Sequence, residues 1–210
     1  MARQKFSTYE IDQLKEALNI GASHASVALS HLIGKRVMIS IPEAVDDGQN
    51  NKTASTAGMA AKNESATVVV LKILGDKPGH ISFFLFKDAA RRLAQLVMKE
   101  QRGIDQGAVK MEQSALKEAG DIICSSALAA FSKFLGVALP EAVSIVREGK
   151  YGELVNSIKA ETGDRTEMAL AYKVSFLIER EDIASHLCVF ASEKVLIKIL
   201  AILKTKFKKA

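Results

Sequence analysis

A stretch of 23 residues, 12–34, returns 102 residues later as 114–136, with ten of the aligned positions identical. Glu16 falls on Glu118, Asn19 on Asp121, Asp12 on Ser114 and Gly34 on Gly136. A second pair, KDAARRLAQLVM in the first half and SEKVLIKILAIL in the second, matches at an offset of 105 residues. Two copies of a long unit read as a duplicated domain, since a solenoid needs at least three. The expected organisation is one domain over 1–210, with repeat one at 8–103 and repeat two at 108–207.

Each repeat opens on a long amphipathic helix. In the first, Ile11, Leu14, Leu18, Ala22, Ala25, Leu29 and Leu32 recur at steps of three and four and form a buried stripe. An alternating β-branched segment follows at 35–42 and ends at Pro42, which cannot donate to a sheet ladder. Residues of about 43–66 are polar and small, a composition that reads as a long flexible loop. Two strands, 67–74 and 79–86, flank the turn GDKP as a hairpin, and a helix at 88–102 closes the half. The second half repeats the order: a helix near 109–135, a strand near 137–146 and a short connection near 152–159 that is compatible with a helix. Strands at 168–178 and 184–191 and a helix at 192–207 complete it.

Three strands and two helices make a thin core for one half alone. The class is therefore α/β in content, of the α+β type with antiparallel hairpins. The expected architecture joins both halves through a pseudo-twofold into one six-stranded sheet, with two long helices at the surface.

Composition narrows the function classes. With 48% hydrophobic and 25% charged residues in a chain of 210, the protein is an ordinary globular one. The first ten residues hold no apolar run, so no signal peptide or membrane anchor is expected, and no later run approaches 18 apolar residues. Cys124 and Cys188 read as buried free thiols and the chain as cytoplasmic. The net charge of +5 raises nucleic acid as a partner, but much of the excess sits in the last seven residues, KTKFKKA, where lysines complement a helix dipole. Aromatics make up only 6% and do not interleave with the basic residues, so no nucleic-acid partner is expected. His24, His31, His80 and His186 lack metal-ligand spacing with the cysteines, and no metal site is expected.

Asp12, Glu16 and Asn19 stand at i, i+4 and i+7, on a face roughly 125° from the apolar stripe. Ser23, Ser26 and Ser30 continue that line with small side chains. An asparagine inside a helix is intrinsically unfavourable because its amide competes for backbone hydrogen bonds, which directs attention to Asn19.

The spacing Asp12-x3-Glu16-x2-Asn19, followed after 22 residues by Pro42, resembles the signature of the CheC/FliY/CheX family of chemotaxis phosphatases. The duplication over nearly the whole chain resembles the two-repeat CheC type. The resemblance implies hydrolysis of the aspartyl phosphate of the response regulator CheY-P. It implies that Asn19 orients the attacking water and Glu16 docks a lysine of the regulator. It also implies that the Mg²⁺ belongs to the regulator, leaving this chain without a cofactor of its own. Such chemistry suits a carboxamide, because phosphoryl transfer depends on positioning and charge, and an amide orients water without adding charge.

The second copy departs from that signature. Ser114 and Glu118 fit, but Asp121 replaces Asn, and position 144 is Ser, with Pro140 the nearest proline. An ionised carboxylate about 4 Å from a phosphoryl group costs roughly 4 kcal/mol at an effective dielectric of 20. Glu118 and Asp121 are accordingly expected to form an impaired site. The alternative reading is a non-catalytic adaptor that binds CheY-P or the receptor deamidase CheD.

Overall fold

The computed structural model describes residues 7–40, 45–46, 63–76, 78–100, 109–161, 167–178 and 181–207. Helix α1, Thr8–Ile33, begins where Ser7 and Glu10 cap it reciprocally. The Ser7 hydroxyl accepts from the Glu10 amide at 3.3 Å, and the Ser7 amide donates to the Glu10 carboxylate at 2.8 Å. It ends at Gly34, whose φ of 61° lies in the left-handed region that a side chain disfavours. The chain continues as β1 (Val37–Ser40), β2 (Val45–Asp46), β3 (Ser65–Ile73), β4 (Gly79–Phe86) and α2 (Lys87–Glu100). Then come α3 (Val109–Leu135), β5 (Ile145–Lys150), α4 (Tyr151–Glu161), β6 (Glu167–Ile178), β7 (Glu181–Ser192) and α5 (Glu193–Phe207).

All strand pairings are antiparallel, and the main path of the sheet runs β1-β6-β7-β4-β3-β5. The first strand of each half therefore pairs with a hairpin strand of the other: Val37 with Ile178, and Ser65 with Lys150. Neither half's sheet is complete alone. The central hairpin β3–β4 is buried along almost its whole length on both faces, which accounts for its near-continuous apolar run.

One face of the sheet carries α1, α2, α3 and α5 over the main core, which includes Leu14, Leu29, Phe83, Leu93, Ile123, Phe176 and Leu203. Each such side chain contributes about 1.5–3 kcal/mol on burial, so this face dominates the stability. On the other face α4 lays Leu154 and Ile158 over Val68, Val70, Phe84 and Phe190. Two glycines allow close approach. A Cβ on Gly21 would stand 3.3 Å from the Ala127 carbonyl, where α1 meets α3, and one on Gly120 would stand 2.3 Å from Val69 Cγ2. Thus α3 lies directly on β3.

The structure corrects several expectations. The sheet has seven strands among the described residues, because Val45–Asp46 pairs with Tyr172 and Ala171 on β6 beyond β1. That places two residues of the expected 43–66 loop in a strand, and β3 takes Ser65 and Ala66; residues 47–62 lie outside those described. The strand expected at 137–146 begins only at Ile145. Before it, the Pro140 carbonyl accepts from Leu74 at 2.8 Å and the Ala142 amide donates to Lys72 at 2.9 Å, with one bridge between Ile73 and Glu141. Proline has no N–H with which to continue the ladder. The connection at 152–159 is helical, as its pattern allows, and forms α4 over 11 residues. Cys124 and Cys188 are buried free thiols as expected, and burial pushes the Cys124 thiol far up.

Candidate functional site

The first helix is held at both ends and along one side, which fixes the direction of everything on its outer face. At its start Glu10 receives Lys204 of α5 at 2.7 Å, and this bond with the Ser7 cap holds the Glu10 carboxyl below its ordinary range. Leu14, Ala17, Leu18, Ala22, Ala25, Leu29 and Ile33 are buried, so the apolar stripe is seated in the core. Leu32 is only half-buried, and Ile33 takes the place expected for it. The Ser30 hydroxyl donates to the Ser26 carbonyl at 2.8 Å and accepts from the Val37 amide at 3.0 Å, tying α1 to β1.

On the outer face Asp12 and Glu16 are exposed and Asn19 is half-buried. The helix thus brings the three residues to one accessible side. Lys15 turns back to Asp12 at 3.4 Å, away from Glu16 and Asn19. The serine line is not uniformly outward. Ser23 is exposed, but Ser26 is buried and donates to the Ser23 carbonyl at 2.8 Å, so it serves the helix backbone. Pro42 lies outside the described residues.

The corresponding stretch of α3 has the same framework. Gly136 ends it with φ 70°, and the Ser132 hydroxyl donates to the Val137 carbonyl at 2.5 Å, as Ser30 ties the end of α1. Ser114 and Glu118 are exposed and Asp121 is half-buried. The lysine differs. Lys117, at the position matching Lys15, turns forward to Asp121 at 2.7 Å. Ser125 donates to Glu141 at 3.0 Å, bringing a further carboxylate against this helix. Pro140 is exposed in the loop after α3, beside the end of β3, where its carbonyl accepts from the Leu74 amide.

Sequence reasoning missed Gln13, a polar residue one turn before buried Ala17, which is 4% exposed with neither amide atom partnered. Among the described residues, no three His, Cys, Asp or Glu side chains cluster as metal ligands do, and no helix is long and apolar enough to cross a membrane.

No protein-family model matches the chain. It is 24% identical over 182 residues to the CheY-P phosphatase CheC of Bacillus subtilis, covering 85% of this chain and 86% of that protein. The chain thus resembles CheC over most of both lengths. The fold is similar to that of several solved structures. The crystal structure of Thermotoga maritima FliY superposes with a TM-score of 0.74 at 18% identity, over 97% of this chain and all of that one. A CheX structure from Desulfovibrio desulfuricans matches at TM-score 0.54 and 18% identity, over 85% and 99% of the two chains. The middle domain of FliM from H. pylori matches at 0.60 and 10% identity, over 94% and 99%. These likenesses concern the fold, and the FliY match extends over nearly the whole chain.

Proposed function

We propose that this CheC-like chain hydrolyses the aspartyl phosphate of a CheY-type response regulator, with Glu16 and Asn19 of α1 as its working site. One observation carries the reading: Asp12, Glu16 and Asn19 share the accessible side of a helix whose opposite side is fixed in the core. A helix held in that way presents its outer residues with little conformational cost on docking.

In this reading the Glu16 carboxylate pairs with a lysine of the regulator and sets the register. The Asn19 carboxamide hydrogen-bonds a water and holds it in line with phosphorus. Positioning of this kind amounts to several kcal/mol, each ~1.4 being tenfold in rate. Asp12 favours the positive end of the helix dipole and holds Lys15. Pro42 closes the strand after α1. The Mg²⁺ of the reaction is the regulator's own, and the chain works in the cytoplasm, where such a regulator resides.

The second copy, Ser114, Glu118 and Asp121, docks a partner without hydrolysing. The Lys117–Asp121 pair favours this, since it places a carboxylate already engaged with a cation where a neutral amide is needed. That helix suits an adaptor role toward CheY-P or the deamidase CheD. The duplication into 8–103 and 108–207 fits the sheet: exchanging β1 with β5, β3 with β6 and β4 with β7 turns the order β1-β6-β7-β4-β3-β5 into its own reverse. A pseudo-twofold between halves is the simplest account.

The test is release of phosphate from CheY charged with acetyl phosphate. Wild-type chain shortens the phosphate's lifetime and Asn19→Ala does not. An unchanged lifetime with wild type removes the enzyme reading.

A further inference from the structure

Two exposed large apolar side chains stand on the outer face of α1: Tyr9 is 59% exposed and Val27 is 57% exposed. They are 18 residues apart, which is five turns of helix, so they lie in line about 27 Å apart along the axis. Glu16 falls between them about 20° off that line, and Asn19 within about 80°. Half-buried Ile20 lies on the same side, between Glu16 and Val27. The polar motif is thus bracketed, with an aromatic near the start of the helix and a branched aliphatic two turns beyond Asn19.

The second helix lacks one arm of this bracket. The position matching Val27 is Ala129, exposed but with only a methyl group, and that matching Tyr9 is half-buried Met111. An exposed Val or Tyr inside a helix has lower intrinsic helix propensity than Ala, so neither is favoured by local structure.

We infer that Tyr9 and Val27 are specificity residues of the α1 docking face, making the apolar contacts that seat a phosphorylated receiver domain with its lysine at Glu16. The inference rests on the proposed phosphatase reading and names the contacts that give it affinity. Glu16 is exposed to water, and surface ion pairs contribute little unless neighbouring contacts exclude solvent. Tyr9 and Val27 supply that exclusion from either end.

The experiment uses the full chain and the source organism's CheY, both phosphorylated for kinetics and beryllofluoride-loaded for binding. Tyr9→Ala, Val27→Ala, the double variant, Asn19→Ala and, as a control, Val143→Ala on the loop before β5 are compared. Both test residues are exposed, and thermal melts establish that the variants fold. Each single change is expected to raise KM and Kd about fivefold, and the double change more than tenfold, with kcat within twofold of wild type. Asn19→Ala is expected to lower kcat while binding persists. Unchanged Kd for the double variant, or an equal loss with Val143→Ala, overturns the inference and leaves the phosphatase reading standing if Asn19→Ala still abolishes turnover. Binding without turnover by wild type removes the phosphatase reading while the Kd series still decides the inference. Absence of both binding and turnover removes the two together.

Discussion

The Lys117 ammonium lies 2.7 Å from the Asp121 carboxylate, one turn further along α3. The matching Lys15 reaches back 3.4 Å to Asp12. Two replacements explain the reversal. Ser114 offers no charge where Asp12 stands, and Asp121 offers one where Asn19 is neutral. The two helices share a framework but differ in the charge at the position of the amide.

Asp121→Asn removes that charge. Lys117–Asp121 is a half-buried i, i+4 pair worth about 0.3–0.5 kcal/mol, and the other carboxylate oxygen of Asp121 is buried without a partner, so the substitution is expected to change stability little. In an Asn19→Ala background it is expected to restore measurable phosphate release from CheY-P. No recovery, with folding intact, means that charge is not what separates the two copies.

Gly120 is expected to resist any side chain. An added Cβ would stand 2.3 Å from Val69 Cγ2 and 2.5 Å from its Cβ, and a β-branched neighbour cannot swing away. Gly120→Ala is expected to destabilise by about 1–3 kcal/mol, as overpacking does. Adding Val69→Ala should recover part of the loss, which urea denaturation of the single and double variants measures. Strict additivity would place the strain elsewhere.

The helix entrance is a local device with a separable effect. Ser7→Ala removes the cap at Glu10 and is expected to cost about 1 kcal/mol, or roughly 2–4 °C in Tm for a chain of this size. The loss should be smaller at pH 3, where the Glu10 carboxylate that completes the box is increasingly protonated. Its folded pKa is lowered, so the stability it brings is present above its ordinary value of 4.5 and is lost as pH falls through the folded value. Equal losses at pH 3 and pH 7 would contradict the reciprocal cap.

His80 supplies a second pH dependence. It is 4% exposed on β4 with Nδ1 unpartnered, and burial holds its pKa below the ordinary 6.5. Above 6.5 the ring is neutral whether folded or unfolded and costs nothing. As pH falls through 6.5 the unfolded chain takes a proton that the folded chain does not, so stability declines. His80→Leu is expected to lose less stability than wild type between pH 7.5 and 5.5, by chemical denaturation at each pH. A parallel decline in both proteins would remove His80 as a cause.

Much of this fold was legible because its signals are local. The 3.6-residue period of 12–34 and 114–136 places both long helices, and α3 spans Val109–Leu135 as its pattern implies. The hairpin β3–β4 follows from two β-branched runs around Gly75. What sequence did not show depends on partners distant in the chain. The segment 137–146 alternates like a strand, yet around Pro140 it makes only one bridge, at Glu141, and it joins the ladder from Ile145 onward. Val45–Asp46 is too short to carry a pattern, and its pairing is decided by Tyr172 and Ala171. At the site, periodicity placed Asp12, Glu16 and Asn19 on one accessible side. The opposite turns of Lys15 and Lys117 follow from which carboxylate each can reach. Ser26 and Ser30, grouped by spacing with Ser23, are drawn to backbone carbonyls once the helix packs.

The most direct measurement is the rate of phosphate loss from CheY-P with wild type, Asn19→Ala and Asp121→Ala side by side. Wild type and Asp121→Ala are expected to accelerate it equally, and Asn19→Ala to fall by a hundredfold or more, about 2.7 kcal/mol of transition-state stabilisation. Full activity in Asn19→Ala, or its loss in Asp121→Ala, would contradict the assignment of the work to α1.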